Sequence, residues 1–122
     1  MPHVILECSA NILEKATLSA LLRECNQVIS PLLSTPIESC KSRAFLHSVF
    51  CVGDQMKNAA FAHLDIKILP GRTTEVIERL GQRLLQVMQI FFSRSLAAYD
   101  LQLTINISEL EKTYIKYRAS KA

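Results

Sequence analysis

The stretch NAAFAHLDIKILPGRTTEVIERLGQRLLQVMQIF, residues 58–91, changes its hydrophobic period in the middle. In its first half Ala60, Ala62, Leu64, Ile66 and Ile68 alternate with the mixed set Phe61, His63, Asp65 and Lys67, the period of two that lets a strand bury one face. Pro70-Gly71 interrupts the strand, Thr73 or Thr74 can cap a helix, and Glu75 and Glu78 suit its first turn. Ile77, Leu80, Leu84, Val87, Met88 and Phe91 then recur at helical spacing and predict a helix ending near Tyr99. Beyond it Leu101, Leu103, Ile105 and Ile107 alternate with Gln102, Thr104 and Asn106, so a strand returns. This half of the chain reads strand, helix, strand.

Working outward, the preceding half repeats the order. Residues 3–8 are a short, mostly apolar run that suits a buried strand, and Pro2 is tolerated as a strand start. Asn11 with Glu14 fits a capping box, and Thr17 offers a second N-cap. Leu18, Leu21, Leu22, Cys25, Val28, Ile29 and Leu32 predict an amphipathic helix, disturbed near its end by Pro31 and finished before Pro36. Residues 37–52 read as a long strand, with Lys41, Arg43, Phe45, His47 and Val49 on one face and Ser42, Ala44, Leu46, Ser48 and Phe50 on the other, and Gly53-Asp54 begins a turn. The expectation is one domain over residues 1–122, made of two β-α-β halves at about 1–57 and 58–122. Crossover helices make the strands parallel within each half, giving an α+β fold: a four-stranded sheet with two helices on one face. With Phe45, Val49, Leu101 and similar residues the strands carry apolar side chains on both faces, so the face without helices is expected to be covered by other subunits.

Composition narrows the function. At 122 residues with 49% apolar side chains the chain can bury a real core. The net charge of +3 is scattered, which gives no case for nucleic acid but leaves room for a small anionic ligand. Cys8, Cys25, Cys40 and Cys51 form no C-x-x-C and no metal-like spacing with His3, His47 or His63, so they read as reduced core or strand thiols. With no signal-like start and no apolar stretch of membrane-spanning length, the expectation is a soluble cytoplasmic protein with no membrane partner.

The residues that could carry chemistry begin with Pro2. Removal of Met1 ahead of a proline leaves a free secondary amine, a potential base. Burial and nearby positive charge disfavour its cationic form, so both keep it basic. Lys41 and Arg43 share one strand face, and Arg72 stands at the strand-to-helix junction, where backbone N–H groups also favour anions. Arginine suits a carboxylate by two parallel hydrogen bonds; lysine is a point charge. The histidines have no recognisable Asp, Ser or Cys partners, PGR at 70–72 is not a phosphate loop, and the basic tail EKTYIKYRASKA reads as locally packed or solvated.

MPHVILECS at the start, SR at 42–43, AFAHLDIKILPGR at 60–72 and LTINISEL at 103–110 together resemble the 5-carboxymethyl-2-hydroxymuconate delta-isomerase family of the tautomerase superfamily, over nearly the whole chain. The superfamily also holds 4-oxalocrotonate tautomerase and macrophage migration inhibitory factor. The resemblance implies a homotrimer with each active site near a subunit boundary, and a proton shift run by Pro2 without metal or organic cofactor. It would move a double bond in a small unsaturated 2-oxo or 2-hydroxy di- or tricarboxylic acid, in aromatic-acid breakdown. It places Arg72 on one of two carboxylate-binding arginines and Lys41 where the other stands, which keeps charge but not fork geometry. Arg43, two residues on, competes for that role. The alternatives are another superfamily reaction, a phenylpyruvate-type tautomerase or a decarboxylase, and a non-catalytic trimeric binding protein.

Overall fold

The computed structural model describes residues 1–55 and 57–120; the last two residues of the basic tail lie outside them. Four strands and three α-helices follow one another as β1 (His3–Ser9), α1 (Leu18–Leu33), β2 (Lys41–His47), β3 (Ala59–Ile68), α2 (Thr74–Phe91), α3 (Ser93–Ala98) and β4 (Asp100–Glu109). The sheet order is β2-β1-β3-β4. β1 is parallel to β2 and β3 to β4, while β1 and β3 run antiparallel, so two β-α-β units meet at the centre of one mixed sheet. This is the expected α+β architecture.

One face of the sheet makes the core. Val4, Leu6 and Cys8 from β1 and Ala60, Ala62, Leu64, Ile66 and Ile68 from β3 are buried beneath Leu21, Cys25 and Ile29 of α1 and Leu80, Leu84 and Met88 of α2. Burial pushes the Cys8 and Cys25 thiols up to about 12, so they behave as small apolar side chains. The turn into α2 depends on Gly71, whose φ of +117° disfavours any side chain, and on Thr73, whose hydroxyl accepts the Val76 N–H at 3.2 Å.

Four expectations are corrected. The strand read over residues 37–52 is only Lys41–His47, preceded by a short 3-10 turn at Ile37–Ser39. β2 pairs on one side alone, and its ladder from His3↔Lys41 to Ser9↔His47 stops where β1 stops. The helix expected to reach Tyr99 divides at Phe92, which is fully buried, and restarts as α3. The Asn11–Glu14 capping box does not form. Asn11 donates to the Ala59 carbonyl at 2.9 Å, and the buried Glu14 carboxylate accepts the Ser95 N–H at 3.1 Å and the Ser95 hydroxyl. Long-range pairing overrode the local motif.

The uncovered face is polar rather than apolar. Register sets Leu101 opposite Ala60 on the helix face, and Val49 lies beyond the strands. Polar pairs cross the open face instead: His47 with Glu7 at 2.8 Å, His63 with Thr104 at 2.6 Å and Asn106 with Asp65 at 3.0 Å. Ile5, Phe45 and Phe61 are its apolar exceptions.

The Glu14–Ser95 contact fastens α3 to the β1–α1 connection, and the Ser95 hydroxyl also accepts the Leu13 N–H at 2.8 Å. Glu14→Ala strands two buried donors and should cost about 2–3 kcal/mol of stability in urea unfolding at fixed protein concentration. A loss no larger than that from the exposed Glu24→Ala would show that the network contributes nothing.

Candidate active site

The chain start is held inside the molecule. Pro2 is buried, on the same side as Val4 and Leu6 by strand alternation, and its carbonyl accepts the Lys41 N–H at 3.0 Å. Its nitrogen is here the amide joined to Met1. The Met1 amine lies below its ordinary value of 8.0: burial is the main cause, and Arg72, Lys116 and Lys41 push the same way while the Cys40 thiol opposes them. Cations from three parts of the chain therefore converge on the amino terminus.

Arg72 is the best anchored of them. Its guanidinium donates to the Leu69 carbonyl at 3.1 Å and to the Leu33 carbonyl at 2.8 Å. Leu33 ends α1, so Arg72 satisfies an orphan carbonyl at the negative end of that helix and ties it to the β3–α2 junction. A guanidinium has five donor hydrogens, so capacity remains for an anion. The Lys41 ammonium donates to the Ser39 carbonyl at 3.1 Å. The Cys40 thiol beside it is raised by burial, against the opposing pull of the terminus and Lys41.

Arg43 goes elsewhere. It donates to His3 Nδ1 at 3.2 Å on the open face. Because a guanidinium only donates, His3 Nδ1 must accept, and its Nε2–H donates to the Tyr114 hydroxyl at 3.0 Å. Burial, then Arg43, Lys41, the amino terminus and Lys67, lower the His3 pKa and favour this neutral ring. Arg72 and Lys41 thus act on the chain start, while Arg43 is taken up by His3, which Lys41 and the terminus also neighbour.

Sequence reasoning missed Lys116. Its ammonium lies 2.8 Å from the Met1 sulfur, delivered by a tail that gave no local signal beyond its basic composition. Among the described residues the only carboxylate within 4 Å of a basic side chain is Glu7, against His47, so none lies that close to Lys41, Arg72 or Lys116. A hollow of about 720 Å³ between α2 and β4, lined by Ile77, Gly81, Leu85, Leu103, Ile105 and Ile107, lies apart from these residues.

Compared with known proteins, a macrophage migration inhibitory factor-like protein from Entamoeba histolytica shares this fold, with a TM-score of 0.69 at 22% identity over 98% of this chain and 96% of that one. The fold class is that of the tautomerase superfamily. Residues 2–121 match the model of the 5-carboxymethyl-2-hydroxymuconate isomerase family, and the chain belongs to that family of isomerases. It is 30% identical over 113 residues to the 5-carboxymethyl-2-hydroxymuconate Delta-isomerase of Escherichia coli, covering 93% of this chain and 90% of that protein. A 5-carboxymethyl-2-hydroxymuconate isomerase from Deinococcus radiodurans R1 superposes with a TM-score of 0.85 at 28% identity, over 96% and 90% of the two chains.

The double role of Arg72 changes what its removal should do. Arg72→Ala frees two carbonyls as well as a charge, so stability should fall by about 1–2 kcal/mol along with any loss of ligand binding, whereas Arg43→Ala should spare stability. Denaturant midpoints measured beside carboxylate affinity separate the two effects. An unchanged midpoint for Arg72→Ala would remove its helix-end role.

Proposed function

We propose that the protein is a cofactor-free isomerase in which Pro2, freed by removal of Met1, is the general base. Its substrate is a small unsaturated 2-oxo or 2-hydroxy di- or tricarboxylic acid, 5-carboxymethyl-2-hydroxymuconate or a close analogue. The observation that carries this reading is the burial of the chain start among Arg72, Lys41 and Lys116, with no carboxylate within 4 Å of them among the described residues. The prolyl nitrogen takes a proton from the dienol hydroxyl or an adjacent carbon and returns it to another carbon. The double bond moves, and no atom is gained or lost. Arg72 holds a substrate carboxylate or the enolate oxygen as charge develops. Lys41 supplies charge without a fork.

The proposed assembly is a homotrimer with the site near a subunit boundary. β2 and β4 each pair on one side only, and Phe45, Leu46 and Val49 are exposed at or beyond the β2 edge. The edges, rather than the polar open face, are the surfaces to be covered. One observation favours a second reading: Arg72 already serves two carbonyls and Lys41 lacks a fork, which suits a trimeric binding protein that holds carboxylates without turning them over.

A freed Pro2 amine would meet the burial and cations that lower the Met1 amine, and because its base form exists above its pKa, activity should fall as pH drops through that value. Protein made without a leader should lose Met1, as read by mass spectrometry, and should accelerate ketonisation of enol acids followed in the ultraviolet. A form that retains Met1 has an amide at that nitrogen and should be inert. Equal rates for the two forms would leave Pro2 as a strand start only, and binding without ketonisation would favour the second reading.

A further inference from the structure

Resting on the anion site just described, we propose that Lys116 is a specificity-determining residue that contacts a second carboxylate of the substrate, and that Tyr114 is the positioning residue that holds it there. Leu110 donates to the Ile68 carbonyl at 2.7 Å as the chain leaves β4, and Tyr114 donates to the Glu111 carbonyl at 3.0 Å in a turn. The tail then crosses to the start of β1. There the Tyr114 hydroxyl meets His3 Nε2, with the two rings edge to face at 5.7 Å between centroids. Two residues on, Lys116 reaches the chain start.

What Lys116 touches there is a poor partner. A thioether sulfur is a weak acceptor, and an ammonium has three hydrogens to place. Lys116 is only partly buried, and some loss of solvent, then the positive charges of Lys41 and Arg118, disfavour its cationic form. Gathering Lys41, Arg72 and Lys116 without a counter-charge is unfavourable, and an anion that spans them relieves it. Removal of Met1 also removes the sulfur, leaving the ammonium without that partner. A ligand with two or three carboxylates can occupy both Arg72 and Lys116, whereas one with a single carboxylate cannot.

The tail is held in few places. Ile115 and Tyr117, on either side of Lys116, are each 89% exposed, so apolar burial does not fix the segment. The Tyr114–His3 contact does, and His3 is in turn oriented by Arg43. Loss of one hydroxyl should therefore release the lysine without disturbing the core.

The test uses Met1-free protein, with fumarate as a dicarboxylate probe and crotonate as its monocarboxylate counterpart, bound in a calorimeter. Lys116→Gln should weaken fumarate about tenfold and crotonate less than twofold. Lys116→Arg should restore most of the loss. Tyr114→Phe should weaken fumarate several-fold, and the double variant should be no worse than Lys116→Gln alone. In turnover, Lys116→Gln should raise KM more than it lowers kcat, and should move the acid limb of the kcat/KM profile to higher pH. One of the cations facing the amine is then gone, leaving Arg72 and Lys41, with Cys40 and His3 as the other titratable neighbours.

Equal weakening of both probes, no weakening, no fumarate binding by the parent protein, or fully additive effects of the two substitutions would overturn the proposal. The two readings separate cleanly. If the parent binds fumarate in this pattern yet ketonises no enol acid, the catalytic reading fails and the Lys116 assignment stands. If it ketonises enol acids while Lys116→Gln changes neither binding nor KM, the assignment fails alone.

Discussion

β1 is hydrogen-bonded along both edges, to β2 in parallel and to β3 in the opposite sense, and the rest of the molecule is arranged around that fact. Chain ends usually fray, because nothing offsets the entropy of ordering them. Here seven residues of central strand begin at His3, and the Lys41 N–H holds the carbonyl of Pro2 as well. The start of the chain is thereby fixed in the interior. The same pairing limits β2, since a strand with one partner cannot outlast it, and β3 and β4 continue as a ten-residue pair of their own.

Fixing the terminus at this end of the sheet brings it to the last turn of α1 and the junction before α2. Arg72 joins those two places through carbonyls, so one of the charges acting on the chain start is also part of the frame. Its guanidinium is rigid and permanently charged. Lys41 and Lys116 are flexible point charges, each held by a single contact. In the proposed site one fixed fork would stand beside two adaptable point charges, an arrangement suited to anions of differing shape.

The polar open face bears on assembly. His47–Glu7, His63–Thr104 and Asn106–Asp65 satisfy one another across neighbouring strands, so that face has less to gain from burial than the alternation of single strands suggested. The unpaired backbone of β2 and β4 would give the proposed subunit contacts more than that face does. Edge pairing would also continue the sheet from one copy to the next.

The sequence by itself determined the β-α-β repeat, the helix face of β3 and the break at Pro70-Gly71, and it offered Pro2, Arg72, Lys41 and Arg43 as the residues able to carry chemistry. Each follows from periodicity or from the chemistry of a residue type, which are local properties. Only the tertiary structure decided that β2 ends with β1, that Glu14 caps nothing and instead holds Ser95, and that Leu101 faces the helices. It also decided that Arg43 turns to His3 while Lys116 comes to the chain start. These depend on partners 40 to 115 residues away, as for His3 with Arg43 or Met1 with Lys116. The energy of such a contact is shared between two distant positions, and neither position carries a pattern that names the other.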